Sequence, residues 1–492
     1  MFQSSELGAH QQVNLNWCEF HQKNKPQGNA VVTEIMLGFA SGIILSTIIY
    51  NADLNNEEWI NGHSNVFIVL SGVSFFVGAI IGALLASYAV KRWFKKHIKH
   101  FPIILFYITG ILFVSLPTNG SVIMVARLFG GIGMGFSHLV FIVHGSEVSV
   151  PKQRGMLLST YSIMISTGLV IGSSFMMTTQ YTGLSDARSL GIFILFYTAM
   201  GHVFLYVFII ESPVYLLQHG DVIGATQAMI KLRNESVETW DIRNDVSEFK
   251  VMLTEDSQYD KNIWSEGNSR PLLILIAAKL IYVLIFNYPL NVIRINAVNG
   301  MFFSDQLQSA GVILSATRLF ITTIVLFAID YFGRRFHLLY GAVSAGALSI
   351  LISIFLFLYN VHEGGLLPAA IFSLFFETLP VFALCVPDIL AGEAFPIIKK
   401  PQSISLVLIF EYVLQAILLV STYGLLKNIV PEPDDDIGNF HVIPLILGIF
   451  ILIATYICYK FVPETTYLSI RETKNIFRGT PQNVMAGIWY SG

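Results

Sequence analysis

The chain has 492 residues, 54% of them hydrophobic and only 12% charged, with a formal net charge of −3. Ordinary soluble domains carry roughly 25% charged residues, so a chain of mean hydropathy +0.64 cannot clothe its surface in polar groups and needs lipid as part of its solvent. No basic stripe tracks phosphates, which excludes a nucleic-acid partner, and Cys18, Cys385 and Cys458 are too scattered for a metal site or a disulfide framework.

Residues 1–30 are polar and lack a signal-peptide core, so the first apolar segment is expected to serve as the targeting signal. A bilayer core about 30 Å thick requires roughly 20 apolar residues in a helix, because open backbone groups are costly in hydrocarbon. Twelve stretches meet that demand: 33–50, 64–90, 102–118, 121–146, 155–179, 189–210, 271–302, 308–329, 336–360, 366–391, 403–426 and 441–462. A polar segment, 211–270, separates the sixth from the seventh; 221–233 has helical character, and Asn234 onward reads as a charged loop. The expected organisation is a cytosolic N-terminus (1–30), a six-helix bundle (31–210), a cytosolic linker with short helices (211–270), a second bundle (271–463) and a cytosolic tail (464–492). The fold class is an all-α integral membrane protein of twelve transmembrane helices.

Orientation follows from the bias of Lys and Arg towards cytosolic loops. With the N-terminus inside, inner loops collect Lys91, Arg92, Lys95, Lys96, Lys99, Lys152, Arg154, Arg334, Arg335, Lys399 and Lys400. Outer loops hold only Arg188 and Lys427, beside acids such as Glu57, Glu58 and Asp434 to Asp436. Twelve crossings place both termini in the cytosol. The two halves also echo each other. Lys91-Arg92 through Lys96 matches Asp330 through Arg334-Arg335, Glu147 with Arg154 matches Glu393 with Lys400, and Glu211-Ser212-Pro213 matches Pro463-Glu464-Thr465. Parallel repeats about an axis normal to the membrane characterise one large class of transporters.

These clusters, together with Arg127, Gly131 and Gly135 in the fourth span and Ile295-Asn296-Ala297-Val298 in the seventh, resemble the sugar porter family of the major facilitator superfamily. Within it the chain resembles the facilitative glucose and trehalose transporters, and most of all their divergent insect branch. The resemblance implies two pseudo-symmetric six-helix bundles, transport of a hexose or a disaccharide such as trehalose, and a location in the plasma membrane. It implies no cofactor; the lipid bilayer and a small-molecule substrate are the expected partners. It also implies that Glu147, Arg154, Glu211, Arg334, Arg335, Glu393, Lys400 and Glu464, with Arg92, form a cytosolic latch between the halves. The alternative is that the bases only set topology and the acids neutralise them.

A sugar site calls for amides, hydroxyls and aromatic faces. By resemblance, Asn291 and Asn296 hold sugar hydroxyls, with Asn287 one turn before; capping a break near Pro289 is the alternative. Gln415 falls at a family amide position one turn from Tyr412, and Ser162 stands where the family has a glutamine. Asp388 replaces a tryptophan, Arg318 and Glu411 replace asparagines, and Leu290 and Arg294 depart further. The first half is read as burying one charge, Arg127, near the inner face. The second places Lys279, Arg294, Arg318, Glu377, Asp388 and Glu411 within apolar spans. Each costs roughly 2.5–3.5 kcal/mol at a helix centre unless partnered. The options are pairing, for instance Arg318 with Asp388 or Glu411, contact with substrate, or snorkelling of Lys279 and Glu377.

Proton-coupled members carry an Asp in span one where this chain has Ala40, which implies uniport, although Asp388 or Glu411 could titrate instead. The rival readings are a carrier of charged organic solutes and a transport-silent nutrient sensor. An enzyme is not expected: His138 reads as a packing or cavity-lining residue, His97 and His100 lack acidic partners at ligand spacing, and no P-loop is present.

Overall fold

Every long apolar run folds as a helix, since only a helix satisfies its own backbone groups in hydrocarbon. A computed structural model describes residues 17–49, 64–182, 186–257, 264, 268–303, 309–427 and 440–479. Glu57, Glu58 and Asp434 to Asp436 lie outside the described residues. Twelve helices are long and apolar enough to cross a bilayer: Val32–Ile49, Val66–Arg92, Lys95–Ser115, Gly120–Val148, Arg154–Met177, Ala187–Phe208, Ser269–Phe302, Ser309–Phe332, Arg334–Val361, Leu366–Ala394, Lys400–Ser421 and Val442–Phe461. They are called spans one to twelve. Spans one to six pack as one bundle and seven to twelve as a second; span two against eleven and span five against eight join the bundles.

Close helix contact in the first bundle depends on glycine. A Cβ on Gly131 would strike the Phe75 carbonyl, and one on Gly135 the Ala79 carbonyl, so spans two and four touch backbone to backbone. Small residues permit such approaches in membranes, where packing rather than water drives association. Gly131→Ile is expected to cost more than about 3 kcal/mol, because a carbonyl cannot swing aside as a side chain can. Size-exclusion profiles of the solubilised variant should show loss of the monodisperse peak.

Spans seven and ten are broken within their apolar length. Span seven divides into Ser269–Ile285 and Tyr288–Phe302, with Asn287 extended between them. The Asn287 amide donates to the Val283 and Leu284 carbonyls at 3.1 and 2.7 Å, and its oxygen accepts the Leu290 N–H at 2.9 Å. This one side chain caps both half-helices, and Pro289 needs no donor there. Span ten divides into Leu366–Phe376, Val381–Leu384 and Val386–Ala394, interrupted at 377–380 and at Cys385, with Pro380 and Pro387 at the starts of the later segments. Such breaks are tolerated only where protein or a cavity receives the freed groups.

The N-terminal helix Trp17–Ala30, the linker helices Pro213–Gln218, Val222–Leu232 and Trp240–Ser257, and the tail helix Ile470–Arg478 lie on one face, called here the linker face. Gln27 ties this layer together, accepting the Val150 N–H at 3.0 Å and donating to the Leu232 carbonyl at 3.4 Å. The stretch after Asn234 is therefore not the loop that its charge suggests. Ile242, Val246, Phe249 and Met252 recur at helical spacing, and Met252 buries against Val214, Ile397 and Ile470. Asp256 then accepts the Ile397 N–H at 2.7 Å and pairs with Lys474 at 2.8 Å, clamping the linker to the second bundle and the tail. Beside it, the hydrogen-bonded Arg471 guanidinium holds the Glu255 carboxyl below its usual range.

Candidate functional site

The breaks in spans seven and ten carry the buried charges to the middle of the molecule. Lys279, about two turns before the span-seven break, places its ammonium 2.7 Å from Asp388 and 2.5 Å from Glu411. Asp388 also meets His138 of the first bundle at 3.2 Å, and the other ring nitrogen of His138 lies 3.0 Å from the Tyr412 hydroxyl. The imidazole stacks on Tyr161 with centroids 4.5 Å apart. His138 is therefore the first bundle's polar contact with a charged cluster of the second, and more than packing. All of these side chains are buried.

A second cluster centres on Glu377. Arg294 approaches it at 2.5 Å, and Arg318 binds it through two hydrogen bonds of 2.7 and 2.8 Å. Arg294 also donates to the Asn291 oxygen and covers Phe376, while Arg318 lies 4.4 Å over the Phe286 ring. The expected pairing of Arg318 with Asp388 or Glu411 is thus corrected, because Lys279 already occupies both of those acids. Snorkelling of Lys279 and Glu377 is corrected too, since each is only 1% exposed and held by partners of opposite charge.

The residues read as sugar contacts surround these clusters. Gln415 donates to the Phe286 carbonyl at 2.5 Å, a group freed by the helix break. Asn291 is buried and its amide nitrogen has no hydrogen-bond partner among the described residues, and Asn296 is half-buried. Ser162, Tyr282, Phe286, Arg318 and Thr322 line a cavity of about 20 Å³ between spans five, seven and eight. That volume holds about one water molecule, so this cavity is too small for a sugar as it stands.

At the linker face, Arg154 of the first bundle pairs with Glu393 of the second at 3.2 Å, and Arg334 binds the other Glu393 oxygen. Asp330 accepts the Met156 N–H at 2.8 Å, and Gly155 leaves no room for a Cβ against that carboxylate. The Arg154–Glu393 and Met156–Asp330 contacts cross between bundles. Lys400 apart, the other residues assigned to a latch bond within their own half. Glu147 accepts from Ser212 and lies 3.7 Å from Lys95, and Glu211 accepts the Lys96 N–H at 3.4 Å. Glu464 accepts the backbone N–H groups of Arg334 and Arg335 at 3.1 and 3.0 Å, and the Arg335 guanidinium donates to the Tyr459 carbonyl at 2.7 Å. Lys400 is buried among Glu147, Arg154 and Glu393. Arg92 is exposed, over the Tyr88 ring, with no carboxylate partner among the described residues.

The first half also buries more charge than expected. Glu34 pairs with Lys99 at 2.9 Å, and Lys95, Glu147 and Arg154 are likewise covered. Arg127 donates to Ser71 and Thr47 at 2.8 and 3.0 Å. It sits towards the face opposite the linker, since span four enters from the turn at Asn119 and Arg127 follows within two turns.

The sequence model of the family described as "Sugar (and other) transporter" matches residues 29–477. The chain is 24% identical to a probable polyol transporter 3 of Arabidopsis thaliana over 92% of this chain and 90% of that one. It is 24% identical to the arabinose-proton symporter of Escherichia coli (strain K12) over 62% of this chain and 63% of that one. The solved proton:xylose symporter XylE bound to 6-bromo-6-deoxy-D-glucose superposes with a TM-score of 0.75 at 17% identity, covering 93% of this chain and all of that one, which shows a shared major facilitator fold. The chain therefore belongs to the sugar transporter family of the major facilitator superfamily, and is a carrier and not an enzyme.

Proposed function

We propose that the protein moves a hexose, a polyol or a disaccharide such as trehalose across the plasma membrane by alternating access, as a facilitative uniporter. The observation that carries this reading is the buried polar centre between the bundles. There Asn291, Gln415, Ser162 and Tyr412 supply the amide and hydroxyl groups that suit a ring or chain of hydroxyls. The polyol and arabinose carriers among its relatives support the substrate class. In this reading Arg318, Asp388 and Glu411 shape the site and keep neighbouring amides oriented, with Asn296 contacting solute once the centre opens. The linker face, with its excess of Lys and Arg, is cytosolic, as are both termini in this reading.

Uniport rests on Ala40, a fully buried methyl where a proton carrier is otherwise expected. One observation favours proton coupling as a second reading. Lys279 faces two carboxylates, and the fourth member of the cluster, His138, belongs to the other bundle, so a proton there would bear on the contact between halves.

Expression in oocytes tests both readings. Labelled glucose, trehalose, a linear polyol and a few organic ions are offered at two external pH values, with and without protonophore. Uptake of a sugar or polyol that survives the protonophore is expected. Uptake of ions alone would overturn the substrate class, and collapse under protonophore would overturn uniport in favour of coupling.

A further inference from the structure

Outside the transport pathway, a groove of about 550 Å³ opens between spans two, three and four at the linker face. Leu85, Tyr88, Trp93, His97, Phe101 and Phe136 line it. Leu85, Tyr88, Trp93 and Phe101 are 45%, 50%, 52% and 39% exposed, a contiguous apolar surface that water would disfavour. Tyr88 and Trp93 meet edge to face at 6.0 Å, as the amphipathic rings of a membrane interface do.

The rim is basic. Arg92 lies 4.0 Å over the Tyr88 ring and bonds its hydroxyl, while Lys96 is 5.5 Å from the Phe94 ring. Both are exposed and neither has a carboxylate partner among the described residues. Their neighbours Lys95 and Lys99 are turned inward onto Glu147 and Glu34. Glu211 lies beside this rim, and its carboxylate accepts backbone N–H groups of Lys96 and Ser212. The rim thus offers two cations, at the depth where apolar groove gives way to polar loop.

We propose that this groove binds an anionic phospholipid, one acyl chain lying along Leu85, Phe101 and Phe136 and the phosphate received by Arg92 and Lys96. Charge complementarity and the apolar depth of the groove together select a lipid over a soluble anion, which would leave the aromatic surface bare. The site adjoins the latch: the Tyr215 hydroxyl donates to the Arg92 carbonyl at 3.3 Å, and Lys95, three residues on, faces Glu147. A bound lipid would hold the 91–96 turn, and with it the base of span three, against the first bundle. The proposal rests on the linker face being cytosolic only for the leaflet that supplies the lipid, not for binding itself.

Native mass spectrometry of the purified protein tests it, with phosphatidylserine and phosphatidylcholine of matched chains. Phosphatidylserine is expected to bind more tightly. R92Q/K96Q should erase about fivefold of that preference per cation, on the scale of a basic residue at an anionic surface. R92K/K96R should retain it, and Leu85→Trp should weaken both lipids by filling the groove. Equal binding of the two lipids by the unmodified protein, or a preference untouched by R92Q/K96Q, overturns the proposal. Thermal midpoints of each variant separate loss of the site from loss of fold. Epitope accessibility of the termini in intact cells tests the orientation separately.

Discussion

Lys279→Met is expected to cut uptake at least tenfold and to lower the thermal midpoint of the purified protein. The ammonium it removes is the shared counter-ion of Asp388 and Glu411, at 2.7 and 2.5 Å, and the methionine fills its volume without its charge. Breaking a buried ion pair from one side costs about 3–5 kcal/mol, because the remaining charge keeps its desolvation penalty and loses its attraction. Here two carboxylates are stranded together, with only His138 near Asp388 to offset them. Adding Glu411→Gln to Lys279→Met should recover part of the stability, since one stranded charge is then neutralised. Adding Glu377→Gln instead should worsen it, because Glu377 is the anion that Arg294 and Arg318 share in the other cluster. Thermal melts of these proteins together with the Glu411→Gln and Glu377→Gln single variants complete the two cycles. Equal behaviour of the two double variants would show that the clusters are not separate units.

That distinction could not have been drawn from sequence. The run of letters reveals which charges fall inside apolar spans, and the cost of burying them says that they must be partnered. It does not reveal which helix faces meet. Arg318 found Glu377 because span ten breaks between Phe376 and Val381, which places Glu377 at the end of a short helix beside spans seven and eight. Nothing read from the sequence placed a break in span ten, and the direction in which the freed segment turns follows only from the fold. Span positions were legible, since a single solvent constraint governs them. The linker helix Trp240–Ser257 was missed because its charge outweighed a four-residue apolar stripe that only the tail helix and the loop at Ile397 give a reason to bury. The acids and bases at helix ends were legible as matched sets. Their sorting into one crossing ion pair, Arg154 with Glu393, and several braces within each half needed coordinates.

That sorting makes Glu393 the residue through which the closed linker face is most readily opened. Its carboxylate bonds Arg154 of the first bundle and Arg334 of the second, and it is fully buried. Glu393→Gln keeps the shape and leaves two guanidiniums side by side. The penalty falls almost wholly on the closed state, because parting the bundles returns Arg154 to water. On the scale of about 3–5 kcal/mol for a stranded buried charge, the balance between closed and open linker faces moves by a factor of about 10² or more. A carrier held open on one side cannot return its empty site, so net uptake falls although substrate still binds. Spin labels introduced by Lys152→Cys and Tyr331→Cys report on the opening, since both positions are exposed and lie on opposite bundles. Their separation should lengthen in Glu393→Gln. Glu464→Gln supplies the comparison: its carboxylate accepts N–H groups of Arg334, Arg335, Thr465 and Thr466, all within the second bundle. Losing that charge should lower stability and leave the label separation unchanged. A shift in both variants, or in neither, would mean that the two bundles are held closed by something other than the pair that spans them.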